Sequence, residues 1–390
     1  MKNKLNTYTL MHANDIVAVA DRSLNKVDIL LPSKMPFGLR DDNIDFISFY
    51  QWLNKRASNL ERTYMSKVYI ARKVNRDIES VIRDSCGLSI TDQFWINTSD
   101  INMTWDKLQE KKDENEVLAD VALTGNTENI DWSKALEGTT SLFATKGSFP
   151  KAIMKSKMLK CGGAQQNEWI AYVIGIYLNI PVQKVIIKNP SLNNSRDKDG
   201  SWLDKISKLD NGLSVNPLDD TLVEIDLFTS DSCSLVHASE LLHNKSFNDY
   251  YRDGQHHMLF YNELKNDSYK RKFEKILILN WLISNHDMHG ENYGCTYCPN
   301  TFEITGVAPS YDHNSSDFDG TIPELDVPEI VLPNLSHHID IINKIKNGAL
   351  DKALSEIKNW LSPEQKQGIQ SVARILIENS NNYFKKEFYI

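Results

Sequence analysis

Asp287 is followed five residues later by Asn292, in the run Asn285-His286-Asp287-Met288-His289-Gly290-Glu291-Asn292. Twenty residues beyond Asn292 comes Asp312, in Ala308-Pro309-Ser310-Tyr311-Asp312. These types at this spacing suit phosphoryl transfer. The reaction needs one carboxylate at the attacking hydroxyl, and oxygen ligands for a Mg²⁺ ion that bridges the phosphates of ATP. An aspartate with an asparagine five residues on is the kinase catalytic-loop pattern, in which the first accepts the hydroxyl proton and the second holds metal. Asp312 is the candidate second metal ligand.

Asn292 and Asp312 can share an ion only if the chain between them doubles back. Residues 293–298 and 302–307 read as two strands, and the turn-prone Pro299-Asn300-Thr301 joins them. Such a hairpin returns Asp312 to Asn292. Upstream, residues 269–284 carry Phe273, Ile276, Leu277, Ile278, Leu279, Trp281, Leu282 and Ile283, apolar on nearly every side. That predicts a buried helix that fixes the loop.

The two motifs resemble those of the HipA-like Ser/Thr protein kinases of bacteria, whose loop reads Asp-x-His-x-x-Asn and whose metal aspartate follows Ala-Pro-x-Tyr/Phe. Aminoglycoside-type small-molecule phosphotransferases, a related kinase-like fold, share that loop; Ala-Pro-Ser-Tyr-Asp-His-Asn favours the HipA-like family. The resemblance implies an α+β, two-lobed protein-kinase-like fold, with a small β-rich N-lobe and a mostly helical C-lobe. It also implies ATP and Mg²⁺, a protein substrate with a Ser/Thr acceptor, autophosphorylation, and a toxin role countered by an antitoxin-like partner protein. Within it Asp287 is the base, Asn292 and Asp312 hold metal, and His289 structures the loop at the nucleotide. Many members carry lysine before the loop asparagine, whereas this chain has Glu291, which removes a positive charge near the transferring phosphate.

The nucleotide-binding half is expected from Thr139 onward. Lys146-Gly147-Ser148-Phe149-Pro150-Lys151-Ala152 resembles the family's Gly-Val-Gln-Pro-Lys-Ala segment, which implies that backbone amides at Gly147 and Ser148 and the Lys151 side chain approach the phosphates. Without the downstream site this is a plain turn with Pro150 setting φ. Residues 153–154 and 158–160 read as short strands. Lys160 is the candidate phosphate-contacting lysine, since a flexible ammonium on a strand reaches the α- and β-phosphates. Glu168 opens a helix over 166–178, placed to pair with Lys160; the alternative is a first-turn acid favoured by the helix dipole. Strands over 182–188 and 222–228 would complete this lobe, with a hinge near 226–231.

A chain of 390 residues exceeds one typical core. Four regions are expected: an α+β accessory region over 1–105, a polar linker over 106–138, an N-lobe over 139–230 and a C-lobe over 231–390. Hydrophobic content of 41% and a formal charge of -8 argue against a membrane protein and a strongly nucleic-acid-binding one. The basic start lacks the apolar core of a secretory signal, so a cytoplasmic location is expected. Five cysteines, Cys86, Cys161, Cys233, Cys295 and Cys298, then read as reduced thiols. His286-x-x-His289 followed by Cys295-x-x-Cys298 has the ligand types and pair spacing of a zinc site, which stands beside the kinase reading.

In the accessory region, residues 8–12, 16–20 and 27–31 suggest a small antiparallel sheet. Two helices follow, over 42–59 and 66–86, the second ending at Gly87 in the usual C-cap place. A helix pair raises helix-turn-helix DNA binding. Asp77, Glu79 and Asp84 on the second helix oppose it, because phosphate binding wants a denser positive face. Gly87-Leu-Ser-Ile-Thr-Asp-Gln-Phe-Trp-Ile96 resembles the region before the kinase domain in HipA-like proteins of Gram-positive bacteria. After Asp312, Ser315 and Ser316 lie where an activation segment would, as phosphorylation sites or plain loop. Ser362-Pro363-Glu364-Gln365 reads as a helix start.

Overall fold

The computed structural model describes residues 5–41, 43–56, 67, 70, 77–98, 103–111, 151–154, 157–161, 165–188, 222–243, 256–322 and 326–387. Gly147, Ser148 and the rest of the expected phosphate loop before Lys151 lie outside them. The fold is a mixture of sheets and helices. It divides into two compact units: Met1–Gly163 with Lys188–Val236 and Tyr297–Ile304, and Ala164–Ile187 with His237–Thr296 and Thr305–Ile390.

The first unit opens with β1 (Thr7–His12), β2 (Asp15–Asp21) and β3 (Lys26–Ile29), the sheet expected from the sequence. A fourth strand, β4 (Phe94–Asn97), pairs antiparallel with β1 and completes the order β3-β2-β1-β4. Tyr8, Leu10, Val17, Ala18 and Ala20 are buried, together with Phe49 and Leu53 of helix α1 (Phe46–Arg56). Each large side chain so buried contributes roughly 1.5–3 kcal/mol. Helix α2 (Ile78–Ser85) is capped by Asp77, which accepts from the Ser80 N–H, and ends with Cys86 in the left-handed region. Gly87 is also left-handed, at φ +62°. That turn is held by buried Arg56, whose Nε donates to the Gly87 carbonyl while its two Nη atoms bind Asp92 at 2.7 Å each. Residues 105–111 are helical where the sequence reads as the start of a linker.

Further along the same unit, β5 (Lys151–Met154), β6 (Lys157–Cys161) and β7 (Leu222–Asp226) run antiparallel in that order. The stretch after β7 is tied to the accessory region: Thr229 Oγ1 donates to the Ile90 carbonyl, Gln93 Nε2 to the Asp231 carbonyl and the Leu235 N–H to the Thr91 carbonyl.

The second unit is mostly helical. Its centre is α5 (Asp267–Leu282), buried on nearly every side as the sequence predicts. Asn266 caps it by accepting from the Ser268 N–H. Around it lie α3 (Gln166–Leu178), α4 (His256–Glu263), α6 (Asp326–Val331) and α7 (Pro363–Glu387). The start of α7 is a reciprocal capping box, with Gln365 N–H on Ser362 Oγ and Ser362 N–H on Gln365 Oε1. Among the described residues no helix is long and apolar enough to cross a membrane.

Candidate active site

Asn292 is joined to Asp312 by the expected hairpin, formed by β8 (Gly294–Tyr297) and β9 (Ile304–Val307). Its base is closed by the Ala308 N–H on the Gly294 carbonyl at 2.9 Å, and by Thr305 Oγ1 on Thr296 Oγ1 at 3.0 Å. Its tip is closed by the Cys298 N–H on the Glu303 carbonyl and the Phe302 N–H on the Cys298 carbonyl. The turn thus spans 298–303, longer than the three residues that sequence suggests.

The loop before β8 is a set of interlocked polar groups. The Asp287 N–H donates to Asn285 Oδ1 at 3.2 Å, and Asn285 Nδ2 to Asn280 Oδ1 of α5 at 2.8 Å. Asn292 Nδ2 donates to the Asp287 carbonyl at 2.6 Å, and the Asn292 N–H to the His289 carbonyl at 2.8 Å. His289 Nδ1 accepts from the Glu291 N–H, which directs Nε2 to within 3.7 Å of Asp287 Oδ1. Burial raises the Asp287 carboxyl above its ordinary value; the charge of Asp312 pushes the same way, and His289, Ser315 and Asn292 oppose it. Asp287 and Asp312 therefore feel each other electrostatically. Carboxylates and an asparagine amide oxygen are the hard oxygen donors that Mg²⁺ takes. With its amide nitrogen engaged, Asn292 would ligate through Oδ1.

Asp312 has φ +62°, in the left-handed region, where a non-glycine residue is uncommon and marks strain held by its surroundings. Those surroundings are buried and polar. Glu168 Oε2 accepts from the His313 N–H at 3.1 Å and lies 3.0 Å from His313 Nδ1; His313 Nε2 meets Ser310 Oγ at 2.8 Å. Asn280 Nδ2 donates to the same Ser310 oxygen at 3.1 Å. Asn167 Nδ2 donates to the carbonyls of Asn314 and Ser316, and Ser316 forms a bridge with Asn285. A continuous network thus runs from Glu168 through His313, Ser310, Asn280 and Asn285 to the Asp287 amide. In a low-dielectric interior such a network holds its members in one arrangement.

The sequence-predicted residues Asp287, His289, Asn292, Asp312 and Glu168 all fall in the second unit. Lys160 lies on β6 in the first unit and is buried, and the strand register pairs it with Lys151. His313, Ser310, Asn280 and Asn285 escaped sequence reading. His313 stands beside Asp312, but nothing local says that it reaches Glu168, 145 residues away.

The zinc ligands proposed from sequence have other partners: His286 Nε2 meets Thr321 Oγ1 at 2.9 Å, and His289 Nδ1 accepts from the Glu291 amide. Among the described residues no three His, Cys, Asp or Glu side chains gather as a metal site. Burial raises the Cys295 thiol to about 12.

Three comparisons bear on this arrangement. Residues 129–375 match the family model of the HipA-like C-terminal domain. No curated protein matches the chain. Among solved structures, HipA in the toxin–antitoxin complex of HipA, HipB and operator DNA from Shewanella oneidensis MR-1 superposes with a TM-score of 0.53 at 13% identity, covering 97% of this chain and 98% of that one. The Helicobacter pylori proinflammatory kinase CtkA gives 0.38 at 16% identity, over 60% of this chain and 89% of that one. With well over half of its length matched by the family model, the chain belongs to the family of the HipA-like C-terminal domain.

Proposed function

We propose that the protein is an ATP-dependent kinase that transfers the γ-phosphoryl group to a serine or threonine hydroxyl of a protein, its own chain included. The observation that carries this reading is the β8–β9 hairpin, which joins Asn292 to Asp312, with Asn292 Nδ2 donating to the Asp287 carbonyl. ATP supplies the phosphoryl group, and Mg²⁺ neutralises phosphate charge when bound. Asp287 orients the acceptor hydroxyl and takes its proton. A carboxyl raised by burial is a better base for that proton than an exposed aspartate. Asn292 and Asp312 hold the metal, Lys160 aligns the phosphates, and Gly147, Ser148 and Lys151 cover them. The pairing of Lys151 with Lys160 in one strand register supports a common task for these two lysines.

The Shewanella HipA is described in complex with HipB and its operator DNA. By analogy we assign this chain a cytoplasmic toxin role with an antitoxin-like partner protein.

The test is incubation with γ-labelled ATP and Mg²⁺, the Asp287→Asn variant alongside, and mass spectrometry of the protein. Label on Ser or Thr in the wild type alone supports the reading. Label on an added aminoglycoside or sugar, with none on protein, replaces it by a small-molecule kinase. No thermal stabilisation by ATP and Mg²⁺, together with no loss of function on changing Asp287, replaces it by a non-enzymatic binding module.

A further inference from the structure

His256 and His257 open α4, and both aim Nε2 at one atom, the carbonyl oxygen of Met288, from 2.9 and 3.0 Å. Met288 directly follows Asp287. A carbonyl oxygen has two lone pairs, and here each faces an imidazole. Both rings are buried, with centroids 4.0 Å apart, and the Tyr293 ring lies 5.2 Å from that of His257.

The second nitrogen of His257 is engaged as well. Nδ1 lies 2.8 Å from Asp326 Oδ1, and Asp326 Oδ2 accepts the Met258 N–H at 2.8 Å. Burial pushes the Asp326 carboxyl up, but the hydrogen bond and charge of His257 with the Met258 amide outweigh it, and its value falls below the ordinary one. His257 therefore sits between two acceptors, a carboxylate and a carbonyl, with Nε2 facing the carbonyl. Burial lowers His256 to about 4, and the neighbouring His257 adds to this. A neutral His256 with hydrogen on Nε2 completes the pair of donors.

Residues 287–289 have no regular secondary structure, so their direction is set by side chains from elsewhere. On one side Asn292 holds the Asp287 carbonyl; on the other the two histidines hold the next carbonyl along. The Asp287 N–H on Asn285 Oδ1 fixes the peptide plane before Asp287 and Asn292 the plane after it, which together set the Asp287 Cα–Cβ direction; the histidines hold the third plane, after Met288, and keep the second from turning. We propose that His256, His257 and Asp326 form a clamp on the Met288 carbonyl, and are positioning residues that aim the Asp287 carboxylate at the acceptor hydroxyl. The proposal rests on Asp287 being the base. A misplacement of about 1 Å at such a group costs on the order of a hundredfold in rate.

The experiment compares full-length wild type with His257→Leu, which removes both contacts, and His257→Gln, whose amide reaches the Nε2 position and restores a donor to Met288. Backbone hydrogen exchange is followed over 286–293 and over α5, and phosphoryl transfer is measured per bound ATP. The Leu variant is expected to exchange on the order of tenfold faster over 286–293 with α5 unchanged, and to lose on the order of tenfold in kcat per ATP site, with the KM for ATP held; Gln recovers part of each. Unchanged exchange over 286–293 overturns the clamp. So does a loosened loop with full kcat per site, or a loss spread through α5 that Gln does not repair. If the loop loosens as expected but the wild type transfers no phosphate to any acceptor, the clamp on the loop stands and the kinase reading falls.

Discussion

Asn292 Nδ2 donates to the main-chain carbonyl of Asp287 at 2.6 Å, so the residue expected to hold metal also closes the loop that carries the base. In the proposed roles, one side chain links metal binding to base orientation. Asn292→Ala removes both, and leaves a part-buried carbonyl short of a donor, at about 1–3 kcal/mol. Asn292→Asp keeps an oxygen ligand but sets a carboxylate against that carbonyl. The Ala variant should need on the order of tenfold more Mg²⁺ for half-maximal transfer and also lose kcat; the Asp variant should lose kcat without the Mg²⁺ penalty. Transfer rates across a Mg²⁺ titration separate the two. Equal kcat in wild type and Asp variant would remove the loop-closing role.

His313 lies between Glu168 of α3 and Ser310, with each of its ring nitrogens within hydrogen-bond reach of one of them. Replacing it with leucine deletes a hydrogen bond to a buried carboxylate, worth roughly 1.5–3 kcal/mol. It also frees the left-handed Asp312 from its neighbour's anchor. The expectation is a lower Tm together with a higher Mg²⁺ requirement for half-maximal transfer, read by calorimetry and by Mg²⁺ titration. In a double-mutant cycle with Glu168→Gln the losses should be less than additive, because both changes remove one contact.

Much of this site could be read from sequence, for identifiable reasons. The base and its asparagine lie in one loop at fixed spacing, and the hairpin is local, so its two apolar strands and turn residues announce it. Helix α5 announced itself by apolar residues on all faces. The reciprocal cap at Ser362 and Gln365 formed as its residue types require. What escaped was long-range and polar. His313 finds Glu168 across 145 residues, and the Ile90–Gln93 stretch finds 229–235 across some 138. No periodicity encodes such meetings; they exist only once helices and sheets have packed. The histidine pair 256–257 escaped for the same reason, since its partners, Met288 and Asp326, lie 31 and 69 residues away.

Stability should fall on acidification, because burial lowers His12 to about 4 from its ordinary 6.5. The ring lies 4.9 Å from both Phe94 and Phe302, and is neutral in that aromatic setting. Between pH 6.5 and 4 the unfolded chain binds a proton here that the folded one refuses, so stability rises with pH across that window and is lost as pH falls through it. The full effect is on the order of 3 kcal/mol. Urea midpoints at pH 7, 5.5 and 4.5 should decline in that order, and His12→Phe should flatten the decline. An equally steep decline in the variant would assign it to other groups, His256 among them.

Gly368 lies inside α7, where a methyl group would meet the segment that follows Asp312. A Cβ there would press on the Phe318 carbonyl oxygen, 2.5 Å from the Asp319 carbonyl carbon and 2.7 Å from the Gly320 nitrogen. These are backbone atoms, which cannot swing aside as a side chain could. The segment is pinned from its other side as well, since the Phe318 N–H donates to the Ile283 carbonyl and the Asp317 N–H to the Ser284 carbonyl. Phe318 is buried and left-handed at φ +58°, so it has little room to adjust. Gly368→Ala should therefore cost about 1–3 kcal/mol or more, despite the better helix propensity of alanine, which favours the substitution by only about 1 kcal/mol. It should also slow phosphoryl transfer by moving residues 312–320 away from the catalytic loop. A Tm equal to or above wild type would show that α7 yields at this contact and that the segment is not wedged as the geometry indicates.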